Sequence, residues 1–441
     1  MRNSPGTPSV LRQPAALLLL AASAWAQNAA PPPVAITNVT VIDVVTGARR
    51  PGLTVLTRDG RIAAIGRKVA IPSGTTRLNG KGKFLIPGLW DMHTHHQITG
   101  AAALDLYVAK GVVGTRDMGG DVDFILPLRD RIKAGALQGP EIIASGPILD
   151  DAPADFGLRR RVRNPEEARQ AIADLKRQGV DFFKVHDHTP RDVFFTIAAE
   201  APKVGLSVSG HVPSKVTVLE AAEAGMRSIE HLSNYAVFGE CMAGEKYVES
   251  DCRPTYTKLA AKGVWQTPTL VFFQTIPDVF SGAPIAHVEY ASDSLLEFTR
   301  HNVELSKLPP ASLEKLRWAG KIALQAILDL QHAGNRFLAG SDGLVPGFSL
   351  HDELEWFTRA GFTPLEALQT TTINPARFLG REDTQGTIDI GKRADLVLLT
   401  ADPLQDIRNV TRISAVILRG TPTTQSAINA IVASHLRPKH Q

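Results

Sequence analysis

Between residues 84 and 383, short apolar segments alternate with helix-like runs eight times, and few folds satisfy that pattern. The segments are "FLIPGLWDMHTH", "GVVGTRDMG", "EIIASGP", "DFFKVHDH", "LSVSGHVP", "RSIEHLS", "VWQTPTL" and "RFLAGSDG". The runs between them include "NPEEARQAIADLKRQG" and "SKVTVLEAAEAG", which open on the N-cap residues Asn164 and Ser214 and close on glycine. Strands buried on both faces and joined by helices form parallel sheets. Eight such units predict an α/β chain with a (β/α)8 TIM barrel over 84–383.

The flanks have another character. "VAITNVTVIDVVTG" and "GLTVLTRDGRIAAIG" before the barrel, and "GTIDIGKRADLVLLTADPL" and "ISAVILRG" after it, are short alternating strands with turn signals such as Asp59-Gly60. They predict one small β-sandwich domain built from residues 34–83 and 384–422, with 423–441 a C-terminal tail.

Ahead of them, Arg2 and Arg12 precede "PAALLLLAASAWAQ", a basic segment and apolar run ending on Ala24-Trp25-Ala26. That is the pattern of a signal peptide over 1–26, with 27–33 as linker. The run is too short for a comfortable membrane span, so no stable anchor is expected and the protein is placed outside the cytoplasm, periplasmic or secreted. Cleavage would remove two arginines and no acid, taking the formal charge of +4 to +2. No basic stripe argues for nucleic acid. The only two cysteines, Cys241 and Cys252, are expected to form a disulfide that staples one loop, as export permits.

Chemistry in a barrel of this kind gathers at the C-terminal ends of the strands. There the first segment ends in His93 and His95, the fifth in His211, the sixth in His231 and the eighth in Asp342, while Lys184 lies within the fourth. Period-2 parity turns each inward: His93 with His95, Lys184 with Phe182, His211 with Ser209, His231 with Ile229, and Asp342 with Gly340. Four imidazoles, an aspartate and a lysine at one mouth are costly to bury without an ion. A charged ammonium among them would repel a metal. A buried lysine can lose its proton, and the neutral amine can add carbon dioxide to become a bridging carbamate.

Taken together, "PGLWDMHTH", "FFKVHDH", "SGHVPS", "IEHLSN" and "LAGSDG", followed by "NPARFLG", "GTIDIGKRADLVLL" and "DPLQDIRNV", resemble the amidohydrolase superfamily. Within it, the chain is similar to the imidazolonepropionase-like subgroup that includes Xaa-Pro dipeptidases, over residues 35–422. The resemblance implies a binuclear site for two divalent metal ions, zinc by preference. His93, His95 and Asp342 would hold one ion and His211 and His231 the other, with a carbamate on Lys184 between them. Asp342 would orient the attacking water, take its proton and pass it to the leaving amine.

Further residues are candidates for the substrate. His186 shares the inward parity of Lys184, and Tyr235 and His351 are candidates for the pocket wall. Arg116 could receive a substrate carboxylate or make a structural ion pair with Asp117 or another acid. His96 is expected behind the ligands or facing substrate, and His188 in a loop.

The expected activity is metal-dependent hydrolysis of an amide bond in a small-molecule substrate, in Xaa-Pro dipeptides or N-acyl amino acids. The alternatives are a lactone, cyclic imide or carbamate at the same site, and a binding protein without catalysis. The sequence leaves a homo-oligomer open.

Overall fold

A computed structural model describes residues 31–152, 157–233, 236–243, 246–306 and 308–437. The expected signal peptide lies outside these residues, as does most of the linker.

Two parallel sheets occupy the middle of the chain. One holds Leu89–Thr94, Val112–Asp117 and Glu141–Ala144 in sequence order. The other runs Arg159–Arg161, Ile148–Asp150, Phe183–Val185, Val208–Gly210, Ser228–Glu230, Trp265–Thr267 and Arg336–Phe337. Each of the eight expected segments contributes a strand, and Ile148–Asp150 with Arg159–Arg161 forms an additional parallel pair. Backbone bonds join the two sheets at both ends: Asp181 N to Ala144 O, 2.8 Å, and Met92 N to Ala339 O, 2.8 Å.

The helices between strands are terminated as their sequences direct. Asn164 Oδ1 accepts from Glu167 N at 3.0 Å to open Pro165–Gln178, and Gly179 closes it at φ 93°. The helix after the fifth segment starts later than its sequence suggests. Val218–Glu223 is capped by Thr217 in a reciprocal box with Glu220, three residues beyond Ser214.

The terminal segments join in one continuously hydrogen-bonded eight-stranded sheet. Its order is Thr421–Thr424, Ile413–Leu418, Leu396–Leu399, Phe84–Pro87, Val34–Ile42, Arg49–Arg58 and Arg61–Gly66, with Thr76–Asn79 also on Val34–Ile42. Val34, Ile36, Leu85, Leu396, Leu398 and Ile417 belong to a separate core within it.

Two boundaries therefore move. Phe84–Pro87 pairs antiparallel with Leu396–Leu399, so the apolar run expected as one barrel strand serves two sheets and changes over at Gly88. Only glycine passes there, because a Cβ would come within 2.5 Å of Val113. At the other end the sheet continues through Thr424 and leads into a helix, Gln425–Ser434, where a tail was expected.

Candidate metal centre

Six residues from five distant segments meet at the ends of the parallel strands. Asp342 Oδ1 lies 3.3 Å from His93 Nε2, 3.6 Å from His95 Nε2 and 3.9 Å from His231 Nε2. Lys184 Nζ is 3.2 Å from His93 Nε2. The ring centroid of His211 is 4.8 Å from that of His231.

Each imidazole is fixed from behind. His93 Nδ1 meets Glu230 Oε2 at 2.8 Å, and His95 Nδ1 donates to the Gly119 carbonyl at 3.0 Å. His211 Nδ1 meets Asp187 Oδ1 at 2.9 Å. His231 Nδ1 meets Thr269 Oγ1 at 2.5 Å, and that hydroxyl donates onward to the Pro268 carbonyl. An acceptor on Nδ1 selects the tautomer protonated there and leaves the Nε2 lone pair available to the cluster.

Burial sets the charge state. Desolvation lowers the pKa of His93 and His231 well below the ordinary imidazole range, takes His95 to about 3 and also lowers His211. The rings are therefore neutral. Lys184 is drawn down to about 8 by burial, against the pull of Asp342, and Asp342 is pushed up to about 7 by burial, against the pull of Lys184. Several buried lone pairs facing one another have no good partner except a cation, so the donor set fits divalent metal.

Backbone strain helps assemble the cluster. His231 at φ 54°, Thr269 at φ 49° and Asp342 at φ 56° all stand in the left-handed region at the ends of three successive strands. Gly340 lets the last strand approach the first, since a Cβ there would lie 2.5 Å from His93 Cβ.

The remaining candidates separate. Arg116 is fully buried, and its guanidinium donates to Met92 O (2.7 Å), Ser228 Oγ (2.9 Å), Thr267 Oγ1 (3.2 Å) and both oxygens of Glu230 (2.8 and 2.9 Å). It is a structural ion pair below the site and touches no cavity above the cluster. Its acid is Glu230, because Asp117 is engaged with the backbone amides of His96 and Gly119.

His351 is also displaced from the expected wall. It is buried on the helix Phe348–Arg359, with Nε2 bonded to the Lys110 carbonyl. Tyr235 lies outside the described residues. His186 stacks on His211 at 3.7 Å between centroids and lines the cavity above the cluster. His188 is exposed, and His96 is buried with Nε2 on Thr115 Oγ1. Cys241 and Cys252 are disulfide-bonded, with Cα atoms 5.0 Å apart.

Glu230, Asp187 and Thr269 were not singled out from sequence. Asp187 sits between two histidines in "HDH", which is a visible signal. The signal for Glu230 was its place beside a candidate ligand.

Above the cluster lies a cavity of about 340 Å3, within the size range of small-molecule sites. His95, Lys184, His186, His211, His231 and Asp342 form its polar floor.

The family model for the amidohydrolase family matches residues 84–423. The chain belongs to the amidohydrolase family. This amidohydrolase is 25% identical to ochratoxinase of Aspergillus niger in an alignment covering 79% of this chain and 78% of that one. It superposes with a TM-score of 0.71 on the crystal structure of a putative prolidase from Bifidobacterium longum, at 24% identity, covering 92% of this chain and 99% of that chain. The score is also 0.71 against a Xaa-Pro dipeptidase with methionine bound in its active site, at 18% identity, covering 89% of this chain and 100% of the other. At these structural identities the likeness is one of fold.

Proposed function

We propose that this amidohydrolase is a metal-dependent enzyme that hydrolyses an amide bond in Xaa-Pro dipeptides or N-acyl amino acids, on a closed (β/α)8 barrel. The observation that carries the reading is the arrangement of four imidazoles, each held at Nδ1 from outside, around Lys184 and Asp342. The backbone bonds between the two parallel sheets support closure of the barrel. The ochratoxinase and dipeptidase likenesses favour a carbon–nitrogen bond.

Two divalent cations fit the donor set, zinc best among imidazoles. His93, His95 and Asp342 would hold one and His211 and His231 the other, with Lys184, carboxylated by carbon dioxide, between them. When bound, the cations acidify water and polarise the scissile carbonyl.

The chain supplies the rest. Asp342 receives the proton of the attacking water on a carboxylate oxygen and returns it to the leaving nitrogen. Glu230, Gly119, Asp187 and Thr269 hold the rings so that no reorientation is required during the reaction. The leader-like first residues and the disulfide support an exported protein.

A hydrolysis screen on zinc-loaded protein, with dipeptides and N-acyl amino acids against lactones and carbamates, tests the bond. Release of free amino acid from the amides is expected. Asp342→Asn should lower turnover on the order of 10³-fold while leaving the circular dichroism spectrum intact. Turnover equal to the parent would contradict the role of Asp342.

A further inference from the structure

The cavity above the cluster combines a polar floor with an extensive apolar lining. One wall is apolar and comes from the long segment between the strands Trp265–Thr267 and Arg336–Phe337. There the helices Leu270–Phe280 and Asp293–Ser306 present Phe272, Ile276, Val279, Phe280, Leu295 and Phe298 to the cavity. Val279 and Leu295 also belong to a hydrophobic cluster separate from the main core, so the wall is packed in its own right.

Arg159 lines the same cavity. It stands on the added strand Arg159–Arg161, which pairs in parallel with Ile148–Asp150. Three arginines follow one another there and go to different places. Arg160 pairs with Asp174 on the adjoining helix and Arg161 with Asp151, both on the outside. Arg159 lines the cavity and is mostly buried, with Nη1 held by Asp150 Oδ2 at 2.5 Å.

That same carboxylate oxygen is 3.9 Å from His186 Nδ1, so the guanidinium and the floor of the site are one oxygen apart. The positive charge is close enough to depress the pKa of His95, His186 and Lys184 alongside the larger effect of burial. Among the described residues lining the cavity, Arg159 is the cation outside the proposed metal cluster, and Asp342, a member of that cluster, is the only aspartate or glutamate. An anion bound to the substrate's reacting end has a partner; a free α-ammonium has none apart from the catalytic carboxylate itself.

We propose that Arg159 is the specificity residue that binds the carboxylate of an N-acyl amino acid, whose apolar acyl chain lies along the wall of Phe272, Val279, Phe280 and Phe298. This rests on the amidohydrolase reading above and narrows it. A guanidinium already oriented by a buried aspartate matches a carboxylate fork without losing much side-chain freedom. The apolar wall rewards a long acyl group by removing it from water. An unblocked dipeptide would place its ammonium against that wall and leave it unpaired.

The test separates recognition from turnover. Octanesulfonyl-L-alanine, a sulfonamide that the enzyme cannot hydrolyse as an amide, is titrated into the wild-type holoenzyme by calorimetry beside its primary carboxamide. The carboxylate should bind roughly 10²-fold more tightly. In Arg159→Gln the ratio of the two affinities should fall close to one, and Arg159→Lys should keep part of it. The ratio is internal to each variant, so a general loss of packing does not imitate the result. In parallel, N-octanoyl-L-alanine should be hydrolysed with a higher kcat/KM than leucyl-alanine.

Equal affinity for carboxylate and carboxamide in the wild type, or a ratio unchanged in Arg159→Gln, would overturn the assignment, as would binding of neither compound. A clear carboxylate preference without turnover of any amide would uphold Arg159 and overturn the hydrolase reading instead.

Discussion

Replacing Lys184 by alanine is expected to reduce hydrolysis by on the order of 10³-fold, or about 4 kcal/mol of transition-state stabilisation. Lys184 is 1% exposed and stands 3.2 Å from His93 Nε2. An ammonium there would oppose any cation held by the imidazoles. Burial favours the neutral amine, and that amine can react with carbon dioxide, forming a nitrogen–carbon bond and releasing one proton to leave an anionic carbamate. Truncation to alanine would remove the proposed carbamate but leave space for a small anion. Acetate or propionate added with zinc should therefore restore part of the activity, measured as kcat with and without the acid. A Lys184→Ala variant with parental activity would refute the bridging role, and a dead variant that no short acid revives would refute the carbamate.

The second large effect is on stability. Arg116→Leu should cost about 3–5 kcal/mol, because it leaves the buried Glu230 carboxylate without its guanidinium partner. Glu230 is fully buried and accepts two bonds from the guanidinium. The same carboxylate orients His93, so the variant should also bind metal more weakly, by roughly 10- to 100-fold. Urea denaturation and a zinc titration measure the two losses. A destabilisation under about 1 kcal/mol would show that the pair adds little to the fold, against the expectation for buried ions.

Much of this architecture was legible because it rests on periodicity. The eight apolar segments each became a strand, and Lys184, His93 and His95 were placed on inward-facing positions by alternation alone. Parity failed where the backbone stops being extended. His231 was aligned with Ile229, yet Ser228 and Glu230 are the pair that bonds Arg116. His231 joins the cluster through its left-handed φ, and Asp342 does the same at the last strand.

Other misses share a physical cause. Arg116 was weighed as a substrate contact because a sequence does not show depth along a barrel axis. It lies below the cluster, bonded to the Met92 carbonyl and to side chains of the strands Ser228–Glu230 and Trp265–Thr267. His351 was weighed for the pocket wall, but the helix Phe348–Arg359 carries it away to the Lys110 carbonyl. The sheet crossover at Gly88 was hidden because "FLIPGLWD" is apolar on both sides of the glycine. Arg159 escaped notice because three consecutive arginines look alike until the strand that carries them is placed.

The proposed hydrolysis requires two cations to share these six side chains. Equilibrium dialysis of the purified chain against zinc and bicarbonate, followed by elemental analysis, measures this directly. Two equivalents of zinc per chain are expected in the wild type, with fewer in Lys184→Ala. One equivalent or less in fully loaded wild-type protein would contradict the binuclear site.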